Sequence, residues 1–362
     1  MRILLTTEAF AGGVRRHVLE LCGGIRQAGH EPILAISCER DDHAQEALIP
    51  LLAQGITCHE IPMRRAVSPF ADGHAYRTLT RLIRDLHPDL IHAHSAKAGI
   101  LARMAGKRCR IPVIYTPHAF PFLMTHTAFV PFYRAVEAHA VRWTAQIIVL
   151  SEQESLAAES LGYPKERIHL IPNGIPADTL PPLRADIQTP FRIGVFGRCC
   201  RQKGSDRLAA IIRSSRDRTW WWEIFGSGPM EQELTHLGDR VTCHGAYPSS
   251  EAIRLMRQTD AILLPSRWEG CPYTILEAWA AGIPVIGSAI GGITDLITDG
   301  ETGLLADGDT PAAWLAALTR LAEDPALRVK LAEGGRDRLT RRHTLEQMIR
   351  QTLHVYTKGI ST

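Results

Sequence analysis

Along most of this chain, short apolar runs alternate with amphipathic helical runs, and that alternation restricts the fold more than any other feature. The series opens with "RILLTT", passes through a helical stretch from Val14 to Ala28 into "EPILAIS", and continues with "DLIHAH", "PVIYTPH" and "AQIIVLS". Apolar strands separated by helices are the pattern of a parallel sheet covered by those helices. A second series follows, with "FRIGVFGR", "WWWEIFGSG", "RVTCHG", "DAILLPS" and "IPVIGS". Between the two lies "IPNGIPADTLPPLRADIQTP", which has five prolines and no period and reads as a linker. The pattern therefore predicts an α/β protein of two doubly wound halves facing each other across a cleft, with ligands at the carboxyl ends of the strands. A length of 362 residues suits two domains of ordinary size. The last run, "LTRRHTLEQMIRQTLHVYTKGI", has a helical period, and the pattern alone does not say which half it joins.

Composition removes several classes of function. The chain is 45% hydrophobic and 22% charged, and no apolar run reaches the roughly 18 residues a membrane span needs. The opening "MRILLTT" is too short for a secretion signal, so a cytoplasmic protein is expected. Eight cysteines show neither a CxxC nor a Cys/His metal spacing, which predicts reduced thiols and no metal. The net charge of +3 is uneven: Ile61 to Ala145 holds 12 Arg and Lys against four acids. That basic 61–145 region fits peripheral contact with the inner face of the plasma membrane, since each basic residue near acidic lipid contributes about 1 kcal/mol, and it equally fits an ordinary solvated face. Within it, "AYRTLTRLIRDL" sets Arg77, Arg81 and Arg84 on one helical face and Leu79, Leu82, Ile83 and Leu86 on the other. The aromatic run "HAFPFLMTHTAFVPFYRAVEAHAVRW" suits either a lipid-linked acceptor at the interface or an internal helix with its Phe face covered.

Three stretches carry candidate chemistry. In "LLPSRWEGCPYTILEAWAAGIPVIGS", Glu269 and Glu277 stand eight apart. Glu31/Glu39 and Glu223/Glu231 share that spacing, so context rather than count singles the pair out. Gly270 and Pro272 mark a tight turn from a strand into a helix, so the backbone N–H groups of Cys271, Tyr273 and Thr274 would form an anion site. Glu277, one turn further, could accept two hydroxyl hydrogen bonds, as a ribose diol would offer. In "VFGRCCRQKGSDRL", Arg198 and Lys203 bracket the loop after a strand, where two fixed cations can neutralise a diphosphate without a metal. In "TTEAFAGGVRRHVLEL", Gly12 and Gly13 allow a phosphate close to a helix N-terminus. The third glycine of a dinucleotide fingerprint is missing, although Glu39 sits near where a ribose acid would belong. Gly226 and Gly228 in "IFGSGPM" read either as a nucleotide loop or as a simple turn. Among 16 histidines, His92 and His94 share one face of a strand, which suits core packing at least as well as a site, and His118 ends a strand after a proline, where it is either a contact to a sugar hydroxyl or developing charge or a core histidine.

Together these motifs resemble the retaining glycosyltransferases of family four, over nearly the whole chain: the Gly12-Gly13 loop, "DLIHAHSAKAGILARMAG", "ERIHLIPNGI", "FGRCCRQKG", "IFGSGP" and the long block from "PSRWEGCPYT" to "DGETGLL". The resemblance implies the GT-B fold of two facing Rossmann-like domains with a cleft between them. It implies an N-terminal acceptor-binding domain over 1–175, a linker over 176–189, a donor-binding domain over 190–342, and a last helix, about 343–362, packing back on the first domain. It assigns Glu269 to the donor sugar, Glu277 to the ribose, Arg198 and Lys203 to the diphosphate, Gly12 and Gly13 to a donor-binding glycine loop, and His118 to the transferred sugar. "HSAKAG" and "TPHAF" further resemble enzymes that build bacterial surface polysaccharide or lipopolysaccharide.

The implied reaction moves a hexose-type sugar from a nucleoside-diphosphate donor, UDP expected, to a glycan or lipid-linked acceptor. It retains the anomeric configuration, needs no cofactor or metal, and has the leaving diphosphate help to deprotonate the acceptor; Glu269 as a covalent nucleophile is the less favoured route. No nucleic-acid partner is implied. The alternatives are a nucleotide-sugar epimerase of the same fold and a non-catalytic sugar-nucleotide-binding protein.

Overall fold

The computed structural model describes residues 1–39, 44–64, 66–124, 129–183 and 189–360. Arg65, the stretch 125–128 of the aromatic run, 184–188 of the expected linker and 361–362 of the last helix lie outside the described residues. Two compact units result: Met1–Pro172 with Glu346–Thr362, and Asn173–Leu345.

The first unit runs β1 (Arg2–Thr7), α1 (Gly12–Gln27), β2 (Glu31–Ile36), α2 (Ala44–Ala53), β3 (Thr57–Glu60), α3 (Pro69–Leu86), β4 (Leu90–His94), α4 (Ala96–Cys109), β5 (Val113–Thr116), α5 (Pro121–Met124), α6 (Val130–Ala140), β6 (Gln146–Val149), α7 (Glu152–Ser160) and β7 (Ile168–Leu170). Its parallel strands order β3-β2-β1-β4-β5-β6-β7. β1 is central, with Leu4 opposite both Ile33 and Ile91, and its residues past Arg2 are buried, which is why it reads as a continuous apolar run. α1 turns His17, Val18, Leu21, Cys22 and Ile25 inward at three- and four-residue steps. On α3, Leu79 and Ile83 are buried while Arg77, Arg81 and Arg84 face solvent.

The second unit runs β8 (Arg192–Phe196), α8 (Ser205–Ser214), β9 (Trp221–Phe225), α9 (Glu231–Thr235), β10 (Val241–Cys243), α10 (Ala252–Met256), β11 (Ala261–Leu264), α11 (Tyr273–Ala281), β12 (Val285–Ser288), β13 (Leu304–Ala306), α12 (Pro311–Glu323) and α13 (Pro325–Arg342). Its parallel strands order β10-β9-β8-β11-β12-β13. α14 (Leu345–Ile360) then packs on the first unit. Gly24 of α1 admits it, since a Cβ there would stand 2.1 Å from Ile349 Cδ1.

In each sheet the winding reverses between two adjacent strands, β1 and β4 in the first and β8 and β11 in the second. Loops diverge there at the carboxyl ends and leave a crevice for ligand. All eight cysteines are unbonded thiols. Among the described residues, no helix is long and apolar enough to cross a membrane.

Candidate active site

At the β8/β11 reversal the structure joins two of the expected residues. Lys203 Nζ lies 2.6 Å from Glu269 Oε1, and Ser266 Oγ donates to the same oxygen at 2.7 Å. The Glu269 side chain is only 7% exposed, so the lysine and the hydroxyl compensate a carboxylate that has lost most of its water. Arg198 is exposed and donates to Gln202 Oε1 at 3.0 Å. The β8–α8 and β11–α11 loops are locked together: Arg267 holds both oxygens of Asp206, at 2.5 and 2.7 Å, and its backbone N–H donates to the Gln202 carbonyl at 2.8 Å. A depression lined by Gly197, Arg198, Lys203, Pro265 and Ser266 lies between these loops.

α11 begins at Tyr273 behind Pro272, whose ring offers no capping group. Cys271, Tyr273 and Thr274 are buried, Gly270 is half-buried, and Asn173 Nδ2 holds the Cys271 carbonyl at 2.7 Å. Glu277 sits one turn along, buried. The "IFGSGP" loop belongs to the same construction. A Cβ at Gly226, whose φ is 141°, would meet the Gly197 carbonyl oxygen at 1.9 Å. The loop packs backbone to backbone against the turn that carries Arg198.

At the β1/β4 reversal of the first unit most of the polar groups are imidazoles. Gly12 opens α1 with a φ of 52° and Gly13 follows, both exposed; among the described residues, nothing lies within 4 Å of where a Cβ at Gly12 would stand. Below them, His94 Nδ1 and His118 Nε2 are 3.0 Å apart. The His17 ring lies 5.4 Å from that of His94 and 4.8 Å from that of His118. His92 stacks obliquely on His94 at 4.0 Å and is held by Tyr356 Oη at 2.7 Å and Thr116 Oγ1 at 2.9 Å. Burial, and then the neighbouring rings, push His92, His94 and His118 well below the ordinary histidine range, so all three are neutral at pH 7.

His118 is placed under strain. It and Ala119 take left-handed φ values of 51° and 76°, which costs on the order of 1 kcal/mol each for non-glycine residues. Glu154 imposes this turn by accepting from the Ala119 N–H at 2.6 Å and the Leu150 N–H at 2.9 Å, while Ser151 accepts from the Glu154 N–H at 3.2 Å. Glu8 likewise accepts from the N–H groups of Lys97 and Ala98 at the start of α4, at 3.2 and 2.9 Å.

Sequence reading did not select His17, Glu8, Glu154, Ser266, Arg267 or Tyr356. For Glu154 a signal existed, because "SEQE" at Ser151 has the form of a capping box. For His17 none did, since it occupies an ordinary inward position of α1. Glu39 is exposed beyond the end of β2, 3.9 Å from Arg64. The aromatic run divides: Phe120 and Phe122 are core, while Phe129 and Phe132 are 65% and 56% exposed.

With two doubly wound sheets and polar groups at both reversal points, the chain has the architecture of a GT-B glycosyltransferase. Residues 11–179 match the model described as Glycosyltransferase Family 4, and residues 190–324 match Glycosyl transferases group 1. The chain belongs to the glycosyltransferases of family four. It is 27% identical over 289 residues to the Escherichia coli UDP-Gal:alpha-D-GlcNAc-diphosphoundecaprenol alpha-1,3-galactosyltransferase, covering 73% of this chain and 74% of that one. It is 26% identical over 374 residues to the lipopolysaccharide core biosynthesis glycosyltransferase LpsD of Rhizobium meliloti, covering 100% and 98%. The crystal structure of Anabaena HepE in complex with UDP and glucose has the same fold, with a TM-score of 0.83, 18% identity and 99% of each chain covered.

Proposed function

We propose that this glycosyltransferase moves a hexose, with retention, from a UDP-sugar to a glycan or lipid-linked acceptor in the synthesis of lipopolysaccharide or another surface polysaccharide. The Lys203–Glu269 pair carries this reading, because it sets a cation and a carboxylate beside the start of α11 at the sheet's reversal point. The second unit takes the donor: Arg198 and Lys203 meet the diphosphate, the 270–274 turn adds backbone donors, and Glu277 takes the ribose. A diphosphate competes with Glu269 for Lys203 and draws it away, which frees Glu269 to accept hydroxyls of the sugar. Donor binding thus arms its own sugar contact.

The first unit takes the acceptor, with His118 at its ligand-facing end. A neutral His118 can donate to, or accept from, a sugar hydroxyl at pH 7. Charge developing on the leaving diphosphate is stabilised by the fixed cations, and its oxygen takes the acceptor proton, so the transfer requires no metal. The exposed Phe129 and Phe132, close in sequence to Arg134, give the 61–145 region amphipathic contacts for a membrane carrying the acceptor. UDP in the HepE structure and the diphosphoundecaprenol acceptor in the name of the Escherichia coli relative support the choice of donor and acceptor classes.

The test is release of UDP from a panel of UDP-hexoses, in EDTA, with and without diphosphoundecaprenol-linked sugar or lipopolysaccharide core, followed by NMR of the product anomer. Acceptor-dependent release with the donor's anomeric configuration kept is the expected result. Interconversion of the donor without acceptor would establish the epimerase, tight binding without turnover the binding protein, and an inverted product would end the retaining mechanism.

A further inference from the structure

The first unit contains a group of ligands that its sequence spacing conceals. His17 from α1, His94 from the end of β4 and His118 from the turn after β5 each offer a ring nitrogen, and the three nitrogens lie within 4.8 Å of one another. His17 and His94 are buried and His118 is half-buried. His94 Nδ1 already faces His118 Nε2 at 3.0 Å, a contact a cation would replace, while the other nitrogen of the His94 ring, Nε2, is buried without a hydrogen-bond partner among the described residues.

We infer that His17, His94 and His118 form a three-imidazole binding site for a late first-row divalent cation, of which Zn2+ is the type. Neutral imidazole is the preferred nitrogen ligand of this group of metals, and three of them leave one position open. Nitrogens bound at about 2.1 Å to a tetrahedral ion stand about 3.4 Å apart, so nitrogens already within 4.8 Å of one another must draw closer for all three to bind one ion. Of its neighbours, His92 is fixed by Tyr356 and Thr116 and supports the His94 ring from behind. The consequence for activity rests on the proposed role of His118. A cation that takes its lone pair removes it from the sugar, so the metal inhibits transfer rather than assisting it.

The experiment uses the untagged full chain, stripped with chelator and titrated with Co2+ as a visible reporter, then with Zn2+. One Co2+ per chain is expected, with the intense visible absorption of a low-coordinate imidazole site, displaced by one equivalent of Zn2+. His17→Gln and His94→Gln should each weaken Co2+ binding on the order of 100-fold, while His354→Ala, an exposed histidine elsewhere, should not. Circular dichroism separates loss of ligand from loss of fold, and the wild-type stoichiometry stands without any variant. No visible Co2+ complex in the wild type, or unchanged binding in folded His17→Gln and His94→Gln, would overturn the site. Transfer activity is read separately: Co2+ bound with activity unaffected would leave the metal site standing and remove His118 from the reaction.

Discussion

Both sheets place polar side chains at their reversal points, yet the two sets are built on opposite electrostatics. In the second unit the groups are charged: Lys203 and Glu269 neutralise each other, and Arg198 reaches into solvent. In the first unit rings predominate: burial keeps His92, His94 and His118 neutral, and the nearby Glu8 carboxylate is engaged by the Lys97 and Ala98 N–H groups. The difference teaches what each end can recognise. A site of paired charges exchanges one partner for an anion with little net desolvation, whereas a neutral cluster suits uncharged hydroxyls and would be disrupted by a buried anion.

The largest expected effect breaks the charged side. Lys203→Met should lower turnover about 100- to 1,000-fold, since it removes a fixed cation from the leaving diphosphate. Because it also strands Glu269, the double variant with Glu269→Gln should regain stability in thermal melts without regaining turnover. Recovery of turnover in the double variant would show that Lys203 serves only to neutralise its partner.

On the neutral side, His118→Ala should lower turnover roughly 100-fold while leaving UDP affinity within about twofold, because His118 and the proposed nucleotide contacts belong to different units. A comparable loss of UDP binding would merge the two roles. Next in size, Glu154→Gln should cut turnover by about tenfold, as the turn that holds His118 left-handed loses a charge-assisted acceptor, and the pH profile should move with it. A stability defect without kinetic change would make Glu154 merely structural.

The smallest expected effect is on the pH dependence of stability. His92, His94 and His118 have folded pKa values below the unfolded value of about 6.5, so between those limits the unfolded chain binds more protons than the folded one. Stability should therefore be full above pH 6.5 and fall below it, by up to about 1.4 kcal/mol per pH unit for each histidine. His343 adds to the same slope in the second unit, where burial brings it down to about 4. Chemical denaturation at pH 7.5, 6.0 and 5.0 measures the trend, and a flat profile would mean the rings titrate freely.

Much of this was legible in the sequence, for a physical reason. Buried parallel strands need continuous apolar residues, so "RILLTT" and "DAILLPS" announce themselves, and the turns after Phe196 and Leu264 announce the loops that carry Arg198, Lys203 and Glu269. The contact of Lys203 with Glu269 was not legible, because it depends on β8 and β11 being neighbours across the reversal. The same holds for the histidine cluster: positions 17, 94 and 118 come together only once β1, β4 and β5 are ordered. α14 is the third case, since a helical period says nothing about the surface it covers, and it takes Gly24 against Ile349 to show the fit.

On the proposed function, the second unit holds a nucleoside diphosphate through Lys203 and Glu277. Calorimetric titration with UDP, GDP and NAD in EDTA, on the wild type and on Glu277→Ala, tests it most directly. One UDP per chain is expected, weakened at least about tenfold in the variant through the lost ribose hydrogen bonds, with no NAD binding. Binding of NAD alone, or UDP binding that Glu277→Ala leaves untouched, would contradict it.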